Sequence, residues 1–151
     1  MSASARLAQL GVALPQTVAP LASYVPAVRT GDLVYTSGQL PMEAGRLART
    51  GKIGAEVSPE DGKGLARVCA LNALAAVDSL VGIDVVTRVV KVVGFVASAP
   101  GFNGQPSVVN GASDLLAQVF GDKGAHARSA VGVAELPLNA PVEVELIVEV
   151  G

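Results

Sequence analysis

A chain of 151 residues with 13 acidic and 11 basic side chains, one His and one Cys has a formal charge of −2. Lys and Arg are scattered and aromatic residues make up only 3%, which argues against a nucleic-acid surface, since that needs a cationic stripe and stacking platforms. One Cys excludes an intrachain disulfide, and one Cys with one His cannot supply an ordinary zinc set.

Half of the residues are apolar, mostly Ala, Val, Leu and Gly, and Trp is absent. A core built from such small and branched side chains suits helices lying close on a sheet, and the length suits one domain spanning residues 1–151. At the N-terminus, "SARLAQLG" sets Leu7 and Leu10 three apart before Gly11, a short helix with a glycine stop in an extension over 1–19. "MSASARLAQLGVALP" holds no continuous apolar run of signal-peptide length, and no later segment reads as a membrane span. A soluble, cytoplasmic protein without membrane or nucleic-acid partners is expected.

"YVPAVRTGDLVYTSGQL" gives two strands around the turn "TGD", and Pro26 makes the first an edge strand or one that carries a bulge. Residues 41–57 read as a loop, with a short strand conceivable in "KIGAEV". A helix follows: Ser58 as N-cap, Pro59 in the first turn, Glu60 and Asp61 favouring its positive end, and Gly82 closing it. Leu65, Val68, Cys69, Asn72, Ala76 and Leu80 recur at helical spacing, so Cys69 is expected to be a buried, inert thiol.

"VVTRVVKVVGFVAS" is a β-branched strand. "SVVNGASDLLAQVFG" is a second helix, with Val109, Leu115, Leu116, Val119 and Phe120 available to the sheet. Two strands, "ARSAVGVAEL" and "PVEVELIVEV", complete the chain. This order predicts an α+β fold in which both helices cover one face of a mixed sheet. Alternating apolar residues on the other face then predict burial against further copies of the chain.

No nucleophile elbow surrounds any Ser, and no phosphate loop or dinucleotide fingerprint follows a strand. The conspicuous charges are in the last two strands. Arg128 offers a planar fork suited to a carboxylate, while Glu143 and Glu145, two apart, share one strand face. The link "LPLNAP" is too short for a helical crossover, so these strands should be neighbours or nearly so. A structural ion pair between Arg128 and a Glu is the alternative to a site. His126 suits a solvated or capping role, Asn110 a polar helix face, and Ser37 a turn.

Four stretches, "YVPAVRTGDLVYTSGQLP", "ALNALAAVDSLVG", "VVNGASDLL" and "ARSAVGVAELPLNAPVEVE", resemble the Rid superfamily of reactive intermediate imine deaminases, also called YjgF-like proteins, from about Pro20 onward. The resemblance implies a chorismate-mutase-like α+β fold and a homotrimer whose sheets form a central barrel with clefts between subunits. It implies that Arg128 binds the carboxylate of a 2-imino acid and that Glu143 helps activate water, with Tyr24, Ser37, Gly38 and Asn110 binding substrate. Neither a metal nor another cofactor is implied. Ala130 stands where deaminating members often carry Cys. Two functions fit: hydrolysis of small 2-imino acids to keto acids and ammonia, or a non-enzymatic trimeric module that binds small carboxylate metabolites. RNA cleavage, an activity attached to some relatives, is disfavoured by the acidic balance.

Overall fold

The longest helix begins at the expected residue. Ser58 is extended (φ −71°, ψ 156°), its hydroxyl accepts from the Asp61 amide, and α2 runs over Pro59–Val81 with Glu60 and Asp61 in its first turn. Gly82, at φ 84°, ends it. Leu65, Cys69, Asn72 and Ala76 are buried as their spacing predicts, but Leu80, in the last turn, is 46% exposed. In the computed structural model, which describes residues 1–20 and 22–151, α2 is long and apolar enough to cross a membrane, contrary to the reading of its sequence. Its mean hydropathy of 1.5 accompanies a window that is 56% buried within the protein, as in a core helix.

The third helix, α3, covers Gln105–Phe120 and starts two residues before the expected Ser107, with Pro106 accommodated in the first turn. Val109, Leu115, Leu116 and Val119 are buried, and Phe120 is partly buried against the same core. The first helix, α1 (Ala3–Gln9), is capped by Ser2, whose hydroxyl accepts from the Ala5 amide. It docks through buried Leu7, through Arg6 Nε donating to the Gln118 carbonyl (2.9 Å), and through Ser4. The Ser4 hydroxyl and amide both donate to the Asp84 carboxylate, and these bonds hold its pKa below the ordinary value.

Five strands form the main sheet: β1 (Ala27–Thr30), β2 (Leu33–Thr36), β5 (Val86–Ala97), β6 (Ala127–Val133) and β7 (Val142–Val150), in the spatial order β1-β2-β7-β5-β6. Only β5 and β6 run parallel, joined by α3, and the remaining pairs are antiparallel. β1, preceded by Pro26, lies at an edge as expected. The segment read as loop contains a small hairpin, β3 (Met42–Glu43) with β4 (Arg46–Leu47). Ala44 and Gly45 both have positive φ (52° and 82°), the signature of the tight turns that suit strand twist. In "KIGAEV", Ile53 makes isolated bridges to Val57 and Ser98.

Both long helices pack on one sheet face, where Val89, Val92, Val96, Val144, Leu146 and Val148 are buried. Close approach needs missing side chains. A methyl on Gly94 would strike Val109, and one on Gly111 would strike the Lys63 carbonyl where α3 crosses α2. The opposite face keeps apolar groups at the surface: Val28, Tyr35 and Val131 are 52%, 43% and 43% exposed.

Two of the three helix glycines predict opposite signs. Gly111→Ala should destabilise the protein by about 2 kcal/mol or more through overpacking against backbone. Gly64→Ala, where the added methyl meets open space, should stabilise by about 0.5–1 kcal/mol. Urea unfolding of both variants checks this.

Candidate functional site

Glu143 lies on the sheet face away from the helices, opposite Phe95 of β5. Its carboxylate rests over Gly38, where an added methyl would overlap Oε2. Gly38, at an ordinary backbone conformation, thus lets the carboxylate lie close, and a larger residue here would push the end of the Glu143 side chain aside. Just past β2, Gln39 exchanges two backbone hydrogen bonds with Val144 (2.8 and 3.0 Å), which carries the ladder on and fixes Gly38 beside the carboxylate.

Tyr24, Pro26, Leu40, Met42 and Pro137 complete the walls of a recess of about 60 Å³ around Glu143 and Gly38. The Ser37 hydroxyl donates to the Val25 carbonyl (2.6 Å), and its amide donates to the Pro26 carbonyl (2.8 Å). It ties the Tyr24 segment to the Gly38 turn and lies outside the recess lining. From below, buried Asn72 donates to the Leu40 and Met42 carbonyls (3.1 and 3.0 Å) and anchors the same wall to α2. The Glu143 pKa is raised, first by burial and second by the neighbouring charge of Glu145. A carboxylate adjusted this way is suited to take a proton from water near neutral pH.

Arg128 is on β6, in register with Val92 and, through it, with Leu146. Those partners face the helices, and so does the guanidinium. Its Nη1 donates to Asn110 Oδ1 (2.7 Å) and Ser113 Oγ (3.2 Å) of α3, and its Nη2 donates to the Pro106 carbonyl (3.4 Å). All three acceptors are neutral, and among the described residues no carboxylate pairs with Arg128. The ion pair weighed as the alternative is therefore absent among the described residues. A half-buried guanidinium at a sheet edge without a carboxylate partner has the chemistry to accept an anion.

β6 and β7 are near neighbours, with β5 alone between them. One further expectation is corrected, that the opposite charges on these strands come close: the registers of Arg128 and Glu143 with β5, at Val92 and Phe95, differ by an odd number of residues and put them on opposite sheet faces. The structure thus gathers Tyr24, Gly38 and Glu143 in one recess and Arg128 with Asn110 in another place. Ser113 and Asn72 were not singled out as site residues from sequence. Ser113, three residues after Asn110 on one helical face, was detectable by spacing.

A family model described as Endoribonuclease L-PSP matches residues 15–150. The chain belongs to this family, the YjgF/Rid family. Protein TCP17 of Trypanosoma cruzi is 45% identical over 148 residues, covering 97% of this chain and 92% of that protein. A 2-iminobutanoate/2-iminopropanoate deaminase of Dermatophagoides farinae is 34% identical over 138 residues, covering 91% and 93%. Among solved structures, a protein of unknown function from Agrobacterium tumefaciens is 46% identical with a TM-score of 0.91, over 99% of this chain and 92% of that one. The family match thus extends over both the Glu143 recess and the Arg128 edge.

Because the folded pKa of Glu143 is raised, the folded state binds its proton more tightly than the unfolded state does. Its stabilising contribution is full below the ordinary carboxylate range and is lost as pH rises through the raised value. Glu143→Gln should therefore gain stability over wild type as pH rises to neutral, with the gain vanishing in acid. Glu145→Gln should show a smaller change of the same sign. Urea unfolding across pH tests both.

Proposed function

We propose that this Rid-family protein hydrolyses small 2-imino acids to 2-keto acids and ammonia in a cleft completed by a second copy of the chain. One observation carries the reading: a carboxylate-free Arg128 fork and a partly desolvated Glu143 lie on opposite faces of one sheet. A single small substrate meets both only if one copy supplies Arg128 at its β6 edge and another supplies Glu143 with Tyr24 and Gly38. The exposed apolar face bearing Tyr35 and Val131 gives copies a surface to bury, in keeping with the homotrimer that the family resemblance implies. The name of the Dermatophagoides relative supports the imine chemistry.

In this mechanism Arg128 binds the substrate carboxylate through two parallel hydrogen bonds and sets the imine carbon over Glu143. Glu143 takes a proton from water as its oxygen bonds to the imine carbon and the C=N electron pair moves to nitrogen. Glu143 returns that proton to nitrogen, then takes the carbinolamine hydroxyl proton and passes it to the same nitrogen as the C=O bond forms and the C–N bond breaks, so both water protons leave with the ammonia. Asn110 holds Arg128, and Ser37 holds the wall that carries Tyr24. Cleavage of RNA, which the family description names, has little support in a chain with net charge −2 and 3% aromatic residues.

With 2-iminopropanoate generated in situ, Arg128→Ala and Glu143→Gln should each lower kcat/KM by about 100-fold, with Glu143→Gln acting mainly on kcat. Equal rates with and without wild-type protein would refute the enzyme. Pyruvate binding without imine turnover would instead establish the carboxylate-binding module. Mixing the two inactive variants under subunit exchange should restore about a quarter of wild-type activity, because randomly assembled pairs regain both groups at that frequency. No recovery would place both groups in one chain's site.

A further inference from the structure

Arg128 is held by more than Asn110. On its other side Ser113 Oγ lies 3.2 Å from Arg128 Nη1 and 2.8 Å from His126 Nε2, while His126 Nδ1 lies 2.6 Å from the Gly124 carbonyl oxygen. The donors in this chain follow from chemistry. A carbonyl only accepts, so Nδ1 carries the proton, and Nε2 of the neutral ring is left as an acceptor. Ser113 must then donate its one proton to Nε2, which turns an oxygen lone pair toward Arg128. A guanidinium only donates, so this final link closes without conflict.

Both Nη1 protons are thereby taken, one by Asn110 and one by Ser113. Nη2 retains one proton beyond its 3.4 Å contact with the Pro106 carbonyl, and Nε–H has no partner among the described residues. These two lie along one edge of the guanidinium and form the fork that accepts a carboxylate side-on. The helix holds one side of the group and leaves the other presented.

We propose that Ser113 and His126 are positioning residues for carboxylate recognition: the chain Gly124–His126–Ser113 fixes Arg128 Nη1, so that the Nε–Nη2 edge faces the ligand. The inference rests on the carboxylate-binding role of Arg128 given above and adds which neutral groups orient it. It also gives the protein's one histidine a function away from the chemical step.

Pyruvate serves as the charged probe and pyruvamide as its neutral counterpart, measured by calorimetry beside 2-iminopropanoate kinetics on the full-length protein. Ser113→Ala should weaken pyruvate binding and raise KM by about tenfold, leave kcat within about twofold of wild type, and reduce the preference for pyruvate over pyruvamide. His126→Phe should shift these quantities in the same direction, and Ser113→Thr, which keeps the hydroxyl, should restore them. Since the chain has a single His, nitrogen NMR reads its ring directly: Nδ1 protonated and Nε2 bare in wild type, with that distribution altered in Ser113→Ala. If wild type binds pyruvate and the Ser113→Ala and His126→Phe values stay within about twofold of it, the positioning role is overturned and the carboxylate reading stands. If wild type binds neither probe and turns over no imine, the reading and the inference fall together.

Discussion

The two-residue period of a β-strand, applied across β5, is the constraint on which the rest depends. β5 pairs with β7 on one side and with β6 on the other, and each register determines which face a side chain joins. Arg128 follows Val92 toward the helices, whereas Glu143 follows Phe95 away from them. A shift of one residue in either ladder would exchange the core face for the outer face. The energy that prevents it comes from burying Val89, Val92, Val144, Leu146 and Val148 beneath α2 and α3. The same packing that stabilises the fold therefore separates the two candidate charges.

Each charge is prepared differently by its surroundings. Glu143 is stripped of part of its water by Gly38 and the apolar walls, and Glu145 adds a like charge nearby, so its proton is held more tightly. Arg128 is surrounded by neutral oxygens that direct it without neutralising it. A carboxylate partner in the same chain would fill the guanidinium fork, and the neutral acceptors from Asn110, Ser113 and Pro106 leave it open. Each group thus keeps capacity for a further partner, Glu143 for a proton and Arg128 for an anion.

Small residues make this arrangement possible. Gly38 admits the Glu143 carboxylate, Gly94 admits Val109, and Gly111 lets α3 lie against the Lys63 carbonyl. Gly94 sets how closely α3 sits on the sheet and Gly111 how closely it sits on α2, and α3 carries both Asn110 and Ser113. Helix packing and anion recognition are consequently one problem here, because moving α3 outward would move the acceptors that aim Arg128.

Much of the fold was legible in the sequence because its signals are local. Ser58 and Pro59 start a helix through bonds made within one turn, Pro26 marks an edge through the donor it lacks, and the alternation of β7 puts Glu143 and Glu145 on one face. The family was legible too, through the Arg128 and Glu143 motifs. Strand order was not, since no local interaction tells β7 that β5 will lie between it and β6. For the same reason the sequence could not show that the Ser37 hydroxyl is committed to the Val25 carbonyl, or that His126, read as solvated or capping, meets Ser113 from another element. The sequence by itself determined the element types, the candidate charges and the family. Only the tertiary structure decided which faces those charges occupy and which neutral groups hold them, because both depend on register and helix packing between segments far apart in the chain.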